Sequence, residues 1–183
     1  MVNKCGRDPY VVVVPPSLQF GHDESLSPII TAQLDDVSAD LFVHKTVVGY
    51  GKSQQMYFAT VARVVLPEAL PHIVLRAKKG SAELGHDVAD CATLQLEGGF
   101  QNYFSLQIEK GQEIDVLEIL TPDIMQTLVR YSQQEDIEIA GSYLYCIVNH
   151  DHRTPDVVCQ LVESVAALSR QIVEQITQIA PSA

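Results

Sequence analysis

Apolar and polar residues alternate over much of the chain in short stretches rich in valine, isoleucine, phenylalanine and tyrosine. A period of two is typical of β-strands that bury one face. The stretches lie at residues 29–34, 41–49, 55–66, 72–77, 93–96, 100–108 and 113–120. A hairpin over residues 136–148, turning at Gly141 and Ser142, follows them because glycine and serine favour tight turns. The pattern predicts a mainly antiparallel sheet of about six to eight strands.

The tripeptide Thr-Pro-Asp occurs at residues 121–123 and again at residues 154–156. Threonine caps a helix N-terminus, proline fits the first helical position, and aspartate favours the positive end of the helix dipole. The first tripeptide predicts a short helix. The second predicts a long amphipathic helix with apolar residues at steps of three and four: Val158, Leu161, Val165, Leu168, Ile172, Ile176 and Ile179. We therefore expect an α+β fold with one short and one long C-terminal helix packed on the sheet.

The first 27 residues differ from the rest of the chain. They contain Pro9, Pro15 and Pro16 and a polar stretch at residues 21–25, which limits regular structure to a short strand at residues 10–14. We interpret residues 1–27 as an extended N-terminal arm and residues 28–183 as a single α+β domain. A chain of 183 residues is long enough to bury one substantial core.

The net charge of −11 lies mostly in the second half: residues 1–92 carry 8 Lys/Arg and 10 Asp/Glu, and residues 93–183 carry 4 and 13. Nucleic-acid binding needs a basic surface, so no nucleic-acid partner is expected. No apolar run is long enough to cross a bilayer, and the start of the chain lacks a signal peptide, which favours a cytoplasmic location. Four cysteines without a paired motif are interpreted as reduced thiols: Cys5, Cys91, Cys146 and Cys159.

Two polar clusters offer the side chains that zinc prefers, namely imidazole, carboxylate and thiolate. Their candidate ligands are His86, Asp87, Cys91, His150 and His152. The clusters lack the spacing of a known metal motif, and ordinary polar loops have the same composition. A metal site is therefore the alternative interpretation, and no other cofactor is expected.

Two pairs of carboxylates alternate with apolar residues on predicted strands. Glu113 with Asp115, and Asp136 with Glu138, each lie on one face and could resemble an acid–base pair. The alternation indicates instead that they form the solvated face of half-buried strands. No serine elbow, glycine-rich dinucleotide turn or metalloprotease helix occurs in the sequence.

Several segments resemble a group of known sequences. They are residues 49–53, 70–72, 98–106, 115–125 and 136–141. Together they are similar to the soluble part of uncharacterised bacterial proteins, over about residues 40–150 of this chain. Those proteins often carry transmembrane helices beside this part. The resemblance implies a single domain and names no catalytic residue.

These observations favour a non-catalytic binding or protein-interaction domain, whose partner is another protein or a small apolar ligand. We expect an exposed apolar groove or sheet edge beside the acidic second half of the chain to mark its site. Pairing with a second copy is a further expectation. The alternative function is metal binding or metal-assisted hydrolysis by the His/Asp/Cys cluster. The expected location is the cytoplasm, or the cytoplasmic face of the membrane if membrane helices flank the domain.

Overall fold

The computed structural model describes residues 13–27, 29–79, 91–96, 99–148 and 154–179. Seven strands are present in this part of the chain: β1 His22–Leu26, β2 Ile30–Leu34, β3 Val37–Val48, β4 Gln55–Ala77, β5 Cys91–Leu94, β6 Phe104–Glu109 and β7 Asp136–Val148. The helices are α1 Glu113–Ile119, α2 Pro122–Tyr131 and α3 Pro155–Ile179. All strands pair antiparallel in one sheet. The predicted α+β class and the number of strands are confirmed.

The long strand β4 organises the sheet. Strand β3 pairs with its first part, up to Arg63, and β6 pairs with its last part, from Ile73. Strand β7 pairs along the other edge of β4, from Thr60 to Leu75. Strands β1 and β2 follow one another along the outer edge of β3, each paired with a different part of it, and β5 pairs with the outer edge of β6.

Two predicted interruptions are absent from the sheet. Residues 55–77 form one strand instead of two, and residues 136–148 form one strand instead of a hairpin. Gly141 has a φ of 57° and lies opposite Leu70, where the pairing register shifts. A glycine with positive φ serves a β-bulge as well as a turn. The bulges let β4 and β7 bend together. Because β7 continues through Gly141 as one strand, the predicted hairpin turn is wrong.

Helix α1 corrects a third prediction, because its residues were expected to form a strand. Val116 and Ile119 are buried at a spacing of three, as one face of a helix requires. The acidic side chains of Glu113 and Asp115 lie in the first turn, where they interact favourably with the helix dipole. The described residues therefore form two short α-helices and a long one, where one short and one long helix were predicted.

Helix α3 covers one face of the sheet, which we call the helix face. Its buried stripe includes Leu161, Val165, Leu168, Ile172 and Ile176, which join the main core. The predicted stripe and its packing on the sheet are confirmed. The Thr121 hydroxyl accepts a hydrogen bond from the Ile124 N–H at 3.4 Å, so the predicted cap of α2 is also present.

The opposite face of the sheet, which we call the back face, has a smaller core of its own: Leu18, Phe42, Ala59, Val61, Tyr145 and Ile147. Residues 13–20 lie over this core, and the Tyr145 hydroxyl donates to the Val13 carbonyl at 3.1 Å. The polar stretch that begins at His22 forms strand β1, although it was expected to lack regular structure. The described part of the predicted arm thus packs on the sheet.

Candidate functional site

The predicted metal ligands cannot be placed together in this structure. Four of them lie outside the described residues: His86, Asp87, His150 and His152. Cys91 is half-buried at the start of β5. Within the part of the chain that the structure describes, no group of three His, Cys, Asp or Glu side chains is placed to hold a metal ion. The metal site stays a prediction.

The carboxylates of β7 are buried, which corrects the expectation of a solvated face. Asp136 accepts a hydrogen bond from the Ala77 N–H at 2.8 Å and forms an ion pair with Arg76 at 3.1 Å. Glu138 has no exposed surface. The other pair, Glu113 and Asp115, lies on helix α1. None of these carboxylates forms the predicted solvated row on a strand.

Glu138 joins the sheet to the N-terminal segment. Its Oε1 lies 2.8 Å from His72 Nε2 and accepts a hydrogen bond from the Ser17 N–H at 3.3 Å. Its other oxygen, Oε2, is buried and makes no hydrogen bond among the described residues. Because the carboxylate is fully buried, we interpret the pair as a structural tie. Sequence alternation missed it, since the covering segment lies about 120 positions away in the sequence.

A second buried carboxylate, Glu135, lies just before β7. It is 1% exposed, and neither carboxylate oxygen meets hydrogen-bond geometry with the polar side chains around it. Burial raises the pKa of Glu135 to about 7, while the nearby side chains of Ser164, Ser132 and Gln160 lower that pKa by a smaller amount. Glu135 is therefore a group whose charge depends on pH in the neutral range.

An exposed sheet edge is formed by β1 and β2. Asp23, with a φ of 51°, and a register shift interrupt the pairing of β1 with β3. Strand β2 pairs with β3 over five consecutive residues without a bulge. Three apolar side chains lie exposed where the two strands meet: Leu26 at 39%, Ile29 at 41% and Ile30 at 66%. The five-residue run of β2 is the regular part of this edge and can accept another strand, whereas the bulge in β1 protects its own part.

The backbone groups that point outward from β2 can be identified. The Ser27 N–H donates to the Val43 carbonyl at 2.9 Å, and the Val43 N–H donates to the Ser27 hydroxyl at 2.7 Å. Val43 therefore directs both backbone groups toward this edge. Because this direction alternates along a strand, the ladder between β3 and β2 uses the even-numbered residues of β2. The N–H and C=O groups of Thr31 and Gln33 point away from the sheet.

The edge is acidic at both ends. Asp23 and Glu24 lie in β1, and Asp35 and Asp36 form the turn after β2. Arg170 on α3 contacts this turn, at 2.9 Å from Asp36 Oδ1 and 3.2 Å from Asp35 Oδ2. Its guanidinium lowers the pKa of Asp36. The aspartates of the turn are nevertheless about three-quarters exposed.

The outer edge of β7 differs from that of β2. Leu144, Tyr145 and Cys146 have no exposed surface, so an added strand cannot reach their backbone. Ile30, Thr31 and Gln33 are exposed by contrast. Strand addition to the described chain is therefore better suited to β2 than to β7.

A groove of about 570 Å³ lies between the β2–β3 turn, β4 and the second half of α3. Five charged residues are among those that line it: Asp36, Asp40, Arg63, Arg170 and Glu174. The lining also includes valines such as Val65. Small-molecule sites are usually lined by apolar side chains with few polar groups. The groove gives no support to the prediction of a small apolar ligand.

The fold and the edge define an α+β domain with an accessible strand at the margin of an antiparallel sheet. No family model and no curated protein matches the sequence. The fold is similar to that of the mycobacterial trehalose monomycolate transport factor A, a solved crystal structure, with a TM-score of 0.55. The match covers 88% of this chain and 78% of the other, at 11% sequence identity. A likeness at this identity establishes a shared fold with a bacterial protein.

The helices of the described ranges differ from membrane-spanning helices. None of these helices combines the length and apolar character that crossing a bilayer requires. The surface of α3 facing away from the sheet, for example, carries the exposed Glu163 and Glu174.

Proposed function

We propose that this chain is a non-catalytic protein-interaction domain that accepts an extended segment of another protein at the outer edge of β2. The carrying observation is the uninterrupted, exposed edge of β2, with Thr31 and Gln33 directing their backbone groups outward. An extended segment that pairs there gains main-chain hydrogen bonds from the sheet. The exposed side chain of Ile30 adds apolar contact area beside those bonds.

The chemistry of the described residues supports a binding role over a catalytic one. The closest contact between an imidazole and a carboxylate, His72 with Glu138, is made by a carboxylate without exposed surface. The neighbour of similar fold is called a transport factor, a description that agrees with a binding role. We propose the cytoplasm as the location, on the sequence argument given above. The resemblance of this chain to the soluble part of uncharacterised bacterial proteins fits the same proposal.

The test removes one outward backbone donor without disturbing the inner ladder. Thr31→Pro deletes an N–H that points away from the sheet, a position where edge strands tolerate proline. Thr31→Val is the matched control, because it loses the same side-chain hydrogen bond to Asp40 and keeps the backbone N–H. Peptides that bind the wild-type domain would be selected from a random displayed library. Their affinity for the wild type and for both variants would then be measured.

We expect the selected peptides to bind Thr31→Val like the wild type and Thr31→Pro about tenfold more weakly or worse, as the loss of a backbone hydrogen bond and a steric clash imply. Amide exchange at residues 31 and 33 should slow when a peptide is bound. The melting temperature of each variant shows that it is folded. If Thr31→Pro is unfolded, Gln33→Pro with Gln33→Ala repeats the comparison. Equal binding to all folded variants would refute the proposal.

A further inference from the structure

We infer that the segment accepted by β2 has an apolar centre and basic ends; this inference rests on the proposed function. The exposed apolar side chains at the centre of the edge are Leu26, Ile29 and Ile30. Acidic pairs lie on either side of them, at residues 23–24 and 35–36. The sequence from residue 8 to residue 44 contains no lysine or arginine, and the nearest basic residue at the β1 end is Lys45 of β3, opposite Ser25. A partner strand therefore meets negative, apolar and negative surface in that order.

The negative ends are only partly neutralised within the described chain. Arg170 contacts both aspartates of the turn after β2, so one positive charge against two negative ones leaves the turn with a net charge of −1. At the other end, His44 Nε2 lies 3.5 Å from Glu24 Oε2. Burial lowers the pKa of His44, and Glu24 raises that pKa by less. His44 is therefore mainly neutral at pH 7 and does not cancel the charge of Glu24.

The charge pattern disfavours a second copy of the chain as the occupant. In an antiparallel pairing of two identical edges over their whole length, each acidic end, at residues 23–24 or 35–36, meets an acidic end of the other copy. Like charges placed opposite each other across two strands are destabilising. A basic segment meets attraction at both of these places. It would also associate faster, because opposite charges steer the encounter.

The experiment uses three synthetic peptides with one alternating valine–threonine centre and different ends. The ends are lysine, serine or glutamate. A length of about twelve residues covers the edge, because His22 to Leu34 lies opposite Val47 to Val37 of β3, which is ten steps of about 3.3 Å each. Binding to the whole chain is measured by fluorescence anisotropy at low and at physiological salt.

We expect the lysine-ended peptide to bind about tenfold more tightly than the serine-ended one at low salt, with the glutamate-ended peptide weakest. Added salt should reduce the difference. The double variant Glu24→Lys/Asp36→Lys should reverse the order of the lysine and glutamate peptides. The control Asp115→Lys/Glu118→Lys makes the same change of net charge on exposed positions of α1 and should keep the original order.

The outcomes separate the two proposals. If all three peptides bind equally, and Thr31→Pro weakens them all, the partner chemistry is wrong and the interaction function stands. Self-association in sedimentation that Thr31→Pro abolishes would show that the occupant is a second copy and would likewise overturn the inference. If no peptide binds, or if Thr31→Pro has no effect on binding, both the inference and the proposed function are refuted.

Discussion

The replacement Glu135→Gln should change how the stability of the domain depends on pH. Glu135 lies at the start of β7 between α2 and α3, and its carboxylate oxygens do not meet hydrogen-bond geometry with the polar side chains around them. Glutamine has nearly the same shape and stays neutral. The substitution therefore removes the cost of an ionised buried carboxylate while preserving most of the packing.

The magnitude follows from the pKa of Glu135, which burial raises from 4.5 to about 7. A rise of about 2.5 pKa units corresponds to about 3 kcal/mol between the two protonation states. The folded state favours the neutral carboxyl group of Glu135 over the ionised one by this amount. Because the folded-state pKa is raised, the stability that the neutral group provides is fully present below pH 4.5. It declines as the pH rises and is lost above about pH 7. At pH 8 the glutamine variant should be more stable than the wild type by up to about 3 kcal/mol.

Urea unfolding followed by circular dichroism from pH 4.5 to pH 8.5 measures the effect. The difference in unfolding free energy between the variant and the wild type cancels the titration of groups that both proteins share. Glu163→Gln, at an exposed position of α3, is the control for the same chemical substitution. A difference between Glu135→Gln and the wild type that does not change with pH would refute the assignment of a buried, neutral carboxyl group.

Four further predictions concern the core, a helix cap, the thiols and metal content. Leu168→Ala should destabilise the domain by about 2–5 kcal/mol in urea unfolding, because this side chain is 1% exposed under α3; a loss below about 1 kcal/mol would contradict a core role for the helix. Thr121→Ala should cost about 1 kcal/mol in the same assay through loss of the α2 cap, and no change would show that the hydroxyl does not stabilise the helix. Mass-spectrometric mapping should show that a thiol reagent modifies Cys159 in the native protein and Cys146 only in denaturant, because Cys159 is exposed while burial, and less strongly Glu135, raise the pKa of Cys146; equal rates would be inconsistent with this placement. Under the interaction proposal, purified untagged protein should contain no stoichiometric transition metal and show no thermal shift with zinc, since a ligand of the native state stabilises by mass action.

Local chemistry determined the parts of this fold that depend on neighbouring residues. The cap at Thr121 begins α2 where the sequence predicts it, and Pro155 begins α3. The steps of three and four from Leu161 to Ile176 identified the buried stripe of α3 before its partners were known. Alternation likewise located most strands to within a few residues. These features are legible because capping and periodicity are properties of a single segment.

Tertiary pairing decided where the strands are continuous. Gly141 allows either a turn or a bulge, and only the partner strand β4 selects the bulge. The seven residues of α1 have apolar positions that fit a short strand as well as one helical face. Their packing against the sheet and α3 settled the choice. Short apolar segments carry too few periods to distinguish the two structures from sequence.

The candidate site shows the same division. The sequence predicts a strand at residues 29–34, but the exposure of Ile30 and the outward direction of Thr31 and Gln33 depend on the pairing of β3 with this edge. Alternation predicted that Glu138 is solvated. The distant segment containing Ser17, which lies over the back face of the sheet, buries Glu138 instead. Burial of a polar residue depends on what the whole chain brings over it, so a local pattern determines the face of a strand and the tertiary structure determines whether that face is covered.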